Sequence, residues 1–386
     1  VSTATVVIHS ARLVSGGSVT NDAWVAFSGP RILAVGGADG WRELAGAQTV
    51  LTDAGGLWLT PGFVDVHCHG AGGAAFDDGA EGIRTGLAVH RAHGTTRSVI
   101  SLVTNTRDNL LASLTGIAEL AAIDPLVLGS HLEGPFLDSE FKGAHNERLL
   151  RRADADELDA MLDAADGTLR QITLAPELPG ATAAIGRFVD AGVAVAVGHT
   201  AADYEQSRAA FDAGASILTH AFNGMRGIHH RAPGPVAAAT HTPGVTLEVI
   251  NDGTHVHPEV VRMAFASAPG RIALITDAMA ATGSADGEYL LGALAVDVQG
   301  GVARLVDGGS IAGSTLTLDD AVRRAVTEVG IDMATAIEAV TAVPARAIGR
   351  GADLGGLAVG FAADAVIMRD DFTVAAVWAN GAPVTV

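Results

Sequence analysis

The sequence predicts an α/β protein: a (β/α)8, TIM-type barrel with a small β-sandwich domain formed by its N- and C-terminal segments. Three observations predict it. Between residues 61 and 345, eight short apolar runs alternate with Ala-rich helical stretches. Those runs read as buried rather than alternating, as expected for parallel strands covered on both faces. Residues 1–60 and 346–386 instead alternate apolar and polar side chains between Gly-rich breaks.

The eight runs are GFVDVH, TRSVIS, LVLGSH, RQITLAP, VAVAVGH, SILTH, VTLEVI and IALITD. Between the fifth and sixth, Tyr204, Ser207, Ala210 and Phe211 recur at helical spacing, and Gly214 is placed to end the helix. Eight such units in this length suit a closed barrel. An open doubly wound sheet is the runner-up, weakened because no Gly-rich dinucleotide turn follows the first run. At the ends, VVIHSARLV, AWVAFSG, RILAVGG, ADAVIMRD and TVAAVWANGAPV read as half-buried strands. Chain termini often lie close together, so 1–60 and 346–386 are expected to pair as one β domain beside a 61–345 catalytic barrel.

Composition narrows the partners. The 386 residues carry a net charge of −19, which disfavours nucleic acid and anionic membranes. An anionic substrate must then meet a local cluster of cations. No run approaches the length of a membrane span, and the opening VSTATVVIHSARLV lacks the basic start and long apolar run of a secretory signal. Cys68 is the single cysteine, so no intrachain disulfide forms, and a reducing, cytoplasmic setting is expected. Lys142 is the only lysine, for which coding bias is a sufficient account.

The polar residues that matter sit where the runs end. His67 and His69 close the first, Glu133 the third, His199 the fifth, His220 the sixth and Asp277 the eighth. In a barrel those ends share one face, where catalytic groups gather. Side chains two apart on a strand point the same way, with Cα atoms roughly 6–7 Å apart. His67 and His69 could therefore reach one cation at about 2.0–2.1 Å, while Cys68 between them points into the core. Singly, each has a blander reading. A strand-end histidine is ordinarily a hydrogen-bonding side chain, as expected for His9, His90, His93, His131 and His241. Glu133 could be a loop carboxylate, and Asp277 a helix cap. Six ligand-type residues at five strand ends favour a metal. Imidazole and carboxylate suit zinc, iron or manganese, and the expectation is one or two divalent ions per subunit, zinc first. Such an ion acidifies its bound water, and Asp277 is the carboxylate placed to move the proton. That chemistry hydrolyses an amide.

PGFVDVHCHG resembles the first-strand motif of the amidohydrolase superfamily. HLEGPFLDSEFKGAHN, VAVGHTAADYEQ, LTHAFNGMRGIHHRAPG and LITDAMAATG together resemble the N-acetylglucosamine-6-phosphate deacetylases, and LGGLAVGFAADAVI resembles their returning β domain. The similarity spans nearly the whole chain. It implies Glu133, His199 and His220 as principal metal ligands, with Glu133 in the place of the carboxylated lysine used elsewhere in the superfamily. His67 and His69 match a second-metal pair, Asp277 the acid/base, and His145 the residue that polarises the acetyl carbonyl. Asn223, Gly224, Arg231 and His255 match sugar-phosphate contacts, with Arg231 reaching the neighbouring active site of a homodimer. Arg226, His229 and His230 beside it have no assigned role, and GMRGIHHRAPG differs in detail from the family's segments. The implied reaction is deacetylation of a phosphorylated amino sugar. The alternatives are an amidohydrolase for another N-acyl sugar or a cyclic amide, and a non-catalytic barrel scaffold.

Overall fold

The computed structural model describes residues 3–384, so the outermost two residues of the expected 1–60 and 346–386 segments lie outside the described residues. The chain divides into two compact units, Asp65–Val89 with Ser98–Thr317, and Val1–Val64 with His90–Arg97 and Leu318–Val386.

A (β/α)8 barrel is the main structure. Its strands, Phe63–Asp65, Thr95–Leu102, Val127–Glu133, Leu169–Leu174, Ala194–Val197, Ile217–Leu218, Thr246–Ile250 and Ile272–Ile275, are neighbours in chain order. From the second strand to the eighth every pairing is parallel. Beyond the last strand, the Asp277 N–H donates to the His67 carbonyl and the His69 N–H to that of Ala278, both at 2.8 Å, closing the ring. All eight expected runs form strands. The second, third and seventh are buried at every position, which is why they show no alternation.

A helix follows each strand: Ala80–Ala92, Arg107–Ile123, Ala155–Ala165, Ala181–Asp190, Tyr204–Asp212, Gly234–His241, Pro258–Ser267 and Leu318–Arg324. The fifth shows the local logic. Asp203 accepts from the Gln206 N–H, Gln206 answers on the Asp203 N–H, and Ser207, Ala210 and Phe211 form the buried stripe. The sequence expectation does not include an antiparallel sheet of Gly287–Leu291, Leu294–Gln299 and Val302–Leu305, between the eighth strand and its helix. Its signal was present in the short apolar runs separated by Gly292 and by Gly300–Gly301.

The barrel interior carries a polar layer. The His131 ring joins Ser101 Oγ and Thr173 Oγ1, each at 2.9 Å, and Thr173 meets Thr219 at 2.8 Å. His131 is thus a hydrogen-bonding histidine, as its position alone suggested.

The other unit is built on one mixed sheet in which strands from both chain ends pair. Its order is Ala382–Val384, Val374–Ala379, Ala365–Met368, Trp58–Pro61, Val6–Ser15, Ser18–Ser28 and Arg31–Gly37. Val6–Ser15 is the fork. Its first half also pairs with Val50–Asp53 and its second with Trp58–Pro61. The register shifts near Ser10, which has φ 57°. The two limbs enclose a core of Val25, Phe27, Ile32, Leu59, Ile367 and Trp378, giving the sandwich. No helix of the described residues is long and apolar enough to cross a membrane.

One buried ion pair ties this unit together. Arg97 Nε and Nη2 donate to the two Asp364 oxygens at 2.6 and 3.1 Å, and the Asn380 N–H donates to the same carboxylate at 2.6 Å. Removing one partner of a buried pair leaves the other charge uncompensated, at a cost of about 3–5 kcal/mol. Asp364→Ala is therefore expected to lower the unfolding free energy by that amount in urea titration. A loss below about 1 kcal/mol would show the pair to be no stronger than a surface one.

Candidate active site

At three barrel strand ends the chain repeats one device. Two residues past the strands ending at Val197, Leu218 and Ile275, the backbone turns left-handed, at His199 (φ 46°), His220 (φ 26°) and Asp277 (φ 47°). Such a conformation is uncommon outside glycine. Here it swings each side chain inward, where it meets His67, His69 and Glu133.

Glu133 is the hub. Its Oε1 lies 3.0 Å from His199 Nε2, 3.1 Å from His220 Nε2 and 3.4 Å from His67 Nε2. Its Oε2 lies 3.1 Å from His69 Nε2 and 3.4 Å from His145 Nε2. His199 and His220 are 3.0 Å apart at Nε2, and His67 and His69 3.2 Å. Asp277 Oδ1 stands 3.6 Å from His67 and 3.5 Å from His69. The structure therefore brings all six strand-end candidates, and His145, into one cluster. Burial would raise the Glu133 carboxyl, but the surrounding imidazoles, His67 first, hold it well below the usual range.

Hydrogen bonds outside the cluster determine which ring nitrogens carry protons. His199 Nδ1 can only donate to the Phe141 carbonyl, 2.8 Å away, so in the neutral ring its Nε2 presents a lone pair. His67 Nδ1 lies 3.1 Å from Glu248 Oε2, which likewise leaves its Nε2 as a lone pair. These lone pairs face carboxylate oxygens and each other, an arrangement that needs a positive charge between them. Ligands about 2.0–2.1 Å from one ion stand about 2.9–3.4 Å apart, which matches Glu133, His199 and His220. The donor atoms of His67, His69 and Asp277 form a second group within 4.8 Å of one another. The donor set fits a divalent cation.

His145 has the opposite polarity. Its Nδ1 accepts from the Thr104 N–H at 3.3 Å, so Nε2 carries the proton. Burial pushes the ring down to about 4, which keeps it neutral. Two glycines confine His199. A Cβ on Gly143 or Gly224 would come within 3.0 Å of its ring.

The cluster floors a pocket of about 270 Å³, walled by Val103, Ala144, Ile250, Leu291 and Ile311. That is near the lower end of the roughly 300–1,000 Å³ typical of small-molecule sites. Asn223, Gly224 and His255 also line it. His255 is held by Asp252, 2.6 Å from its Nδ1. Arg231 does not line it. It lies exposed with Arg226, His229 and His230 on one surface loop.

The sequence reading missed the supports. Glu248, Asp65, Thr104 and the Phe141 carbonyl all hold site residues. Only Glu248 left a clear signal, a carboxylate inside the apolar strand Thr246–Ile250. Asp65 accepts from Thr276 Oγ1 at 2.6 Å, and burial pushes its carboxyl up to about 6.

The pattern of the amidohydrolase family matches residues 58–384. A curated N-acetylgalactosamine-6-phosphate deacetylase of Escherichia coli O157:H7 is 41% identical over 327 residues, covering 84% of this chain and 86% of the relative. The N-acetylglucosamine-6-phosphate deacetylase of Vibrio furnissii is 38% identical over 84% of this chain and 82% of its own length. The chain belongs to the amidohydrolase family, and within it to the N-acetylglucosamine-6-phosphate deacetylases. A solved structure from Mycobacterium smegmatis, an Asp-to-Ala mutant of such a deacetylase in complex with N-acetyl-D-glucosamine-6-phosphate, is 41% identical. It superposes with a TM-score of 0.93 over 99% of both chains.

Near this deacetylase cluster, Asp77 is half-buried and its carboxyl is pushed up to about 6, chiefly by desolvation, with His69 opposing. One of its oxygens has no hydrogen-bond partner among the described residues. The unfolded value is about 3.9, so the folded state holds the extra proton between the two values. Stability should then fall as pH rises from about 4 through about 6. Asp77→Asn is expected to raise the unfolding free energy at pH 7.5 by up to about 3 kcal/mol, with the gain vanishing below pH 4. Equal effects at both pH values in paired denaturation curves would contradict this.

Proposed function

We propose that this chain hydrolyses the N-acetyl group of N-acetylglucosamine-6-phosphate, giving glucosamine-6-phosphate and acetate. The observation that carries the chemistry is the set of lone pairs, fixed in tautomer from outside, that converge on Glu133 beside Asp277. The substrate is supported by the deacetylase relatives and by a pocket of monosaccharide size.

Glu133, His199 and His220 would hold one divalent ion, and His67 with His69 a second. When bound, the ion supplies a Lewis acid and a more acidic water. Zinc is the first choice, with iron and manganese compatible with the same donors. Asp277 accepts a proton from the water as it attacks the acetyl carbon, then returns it to the departing amine nitrogen. The His145 Nε2–H donates to the carbonyl oxygen as negative charge develops there. Asn223, Gly224 and His255 line the pocket, where they would meet the sugar phosphate. Arg231, exposed and outside its own pocket, suits a role in the neighbouring site of a homodimer. The same reading assigns residues 61–345 to the catalytic barrel and 1–60 with 346–386 to the small β domain, and places the enzyme in the cytoplasm.

A second reading takes the C4 epimer, N-acetylgalactosamine-6-phosphate, as substrate, because the Escherichia coli O157:H7 relative carries that name. Assays with both epimers, each with and without phosphate, separate the possibilities. Omitting the phosphate is expected to lower kcat/KM by at least about 10²-fold, the size of loss seen when a site's polar groups go unpaired. Equal rates on the unphosphorylated sugars would refute the phosphosugar assignment.

Asp277→Asn is expected to lower kcat on the order of 10²–10⁴-fold with metal content unchanged. Near-wild-type turnover in a fully metal-loaded variant would remove Asp277 from the proton transfer.

A further inference from the structure

Glu248 is fully buried in the seventh barrel strand, and none of the proposed chemistry uses it. Three N–H groups from three other places in the barrel converge on its carboxylate. His67 Nδ1 lies 3.1 Å from Oε2, and the His220 backbone N–H donates to the same oxygen at 3.3 Å. Gln171 Nε2, on the fourth strand, donates to Oε1 at 2.7 Å. A buried carboxylate requires such compensation, and with donors on both oxygens it is itself not a ligand.

We propose that Glu248 is a positioning residue for metal binding. It holds the proton of His67 on Nδ1, so that Nε2 faces His69, Glu133 and Asp277 as a lone pair. The negative charge behind the ring also makes that lone pair a better donor. Gln171 prevents the carboxylate from rotating away. The His220 N–H belongs to a residue in the left-handed region, so the same carboxylate also pins the backbone of a ligand from the other group. Glu248 thereby couples the His67–His69 pair to the Glu133–His199–His220 trio. The inference rests on the metal reading of the site.

The test loads purified protein with zinc, removes excess, measures zinc per chain by elemental analysis and follows zinc release to a chromogenic chelator. Glu248→Gln keeps the shape and removes the charge. It is expected to weaken zinc retention about 10–100-fold, the usual effect of removing a ligand's outer partner. In a His67→Ala background the same substitution should add no more than about twofold, because the ring it positions is gone while the Gln oxygen can still accept from the His220 N–H. Retention within about twofold of wild type, or an equal loss in both backgrounds, would overturn the inference. Should Glu248→Gln not fold, Gln171→Met leaves the carboxylate and removes its clamp. Faster zinc release is expected there, and unchanged release overturns the proposal. Wild-type protein that takes up no zinc would defeat the metal reading itself, whereas normal wild-type uptake with unchanged variants defeats this inference alone.

Discussion

The site depends on the buried carboxylate of Glu133 and the imidazole nitrogens packed around it. A buried carboxylate faces five imidazole nitrogens, and in their neutral forms the rings of His199 and His67 turn Nε2 lone pairs toward it, because Phe141 and Glu248 hold the Nδ1 protons on the far side. A cluster of lone pairs in a low-dielectric interior is unfavourable unless positive charge enters it. The barrel supplies the rigidity to maintain this arrangement. Its strands come from distant parts of the sequence, and their ends are held edge to edge by backbone hydrogen bonds.

Backbone strain is concentrated at the same place. His199, His220 and Asp277 each occupy a left-handed conformation that costs on the order of 1–3 kcal/mol and persists only where its surroundings over-determine it. Those surroundings are visible. The Asp138 N–H donates to the His199 carbonyl at 2.9 Å, the Asn223 N–H to that of His220 at 3.0 Å, and the Ser314 N–H to that of Asp277 at 2.8 Å. Each bond comes from a loop that also lines or covers the pocket region, so the segments that shape the pocket also hold the turns.

The barrel was legible because its strands and helices carry local signals. Apolar runs mark the strands, and Asp203 with Gln206 marks a helix start. Strand-end positions of His67, His69, Glu133, His199, His220 and Asp277 are also local facts, and barrel geometry turns them into a cluster. What escaped was set by contacts between distant residues. No motif indicates that the Thr104 N–H would choose the tautomer of His145, or that a carbonyl at Phe141 would do so for His199. The three-stranded sheet after the eighth strand escaped for another reason. Its half-exposed strands alternate weakly, and attention to barrel periodicity hides a hairpin inserted within one repeat. Arg231 marks the opposite boundary. Its place on an exposed loop follows from the polar sequence around it, and the single chain gives it no place in its own pocket.

The segment from Asp138 to Asn146 joins two tasks. Through Phe141 it orients the His199 ring, through Gly143 it lies flat against the same ring, and through His145 it presents an N–H at the pocket. Were a cation held at His199, free energy of ordering would be shared between it and the segment. By reciprocity, whatever tightens one tightens the other by the same factor. On the proposed function, an ion seated on His199 would make the loop more rigid, and a substrate that grips the loop would make the ion harder to lose. Cofactor retention and substrate engagement would then be two readings of one equilibrium.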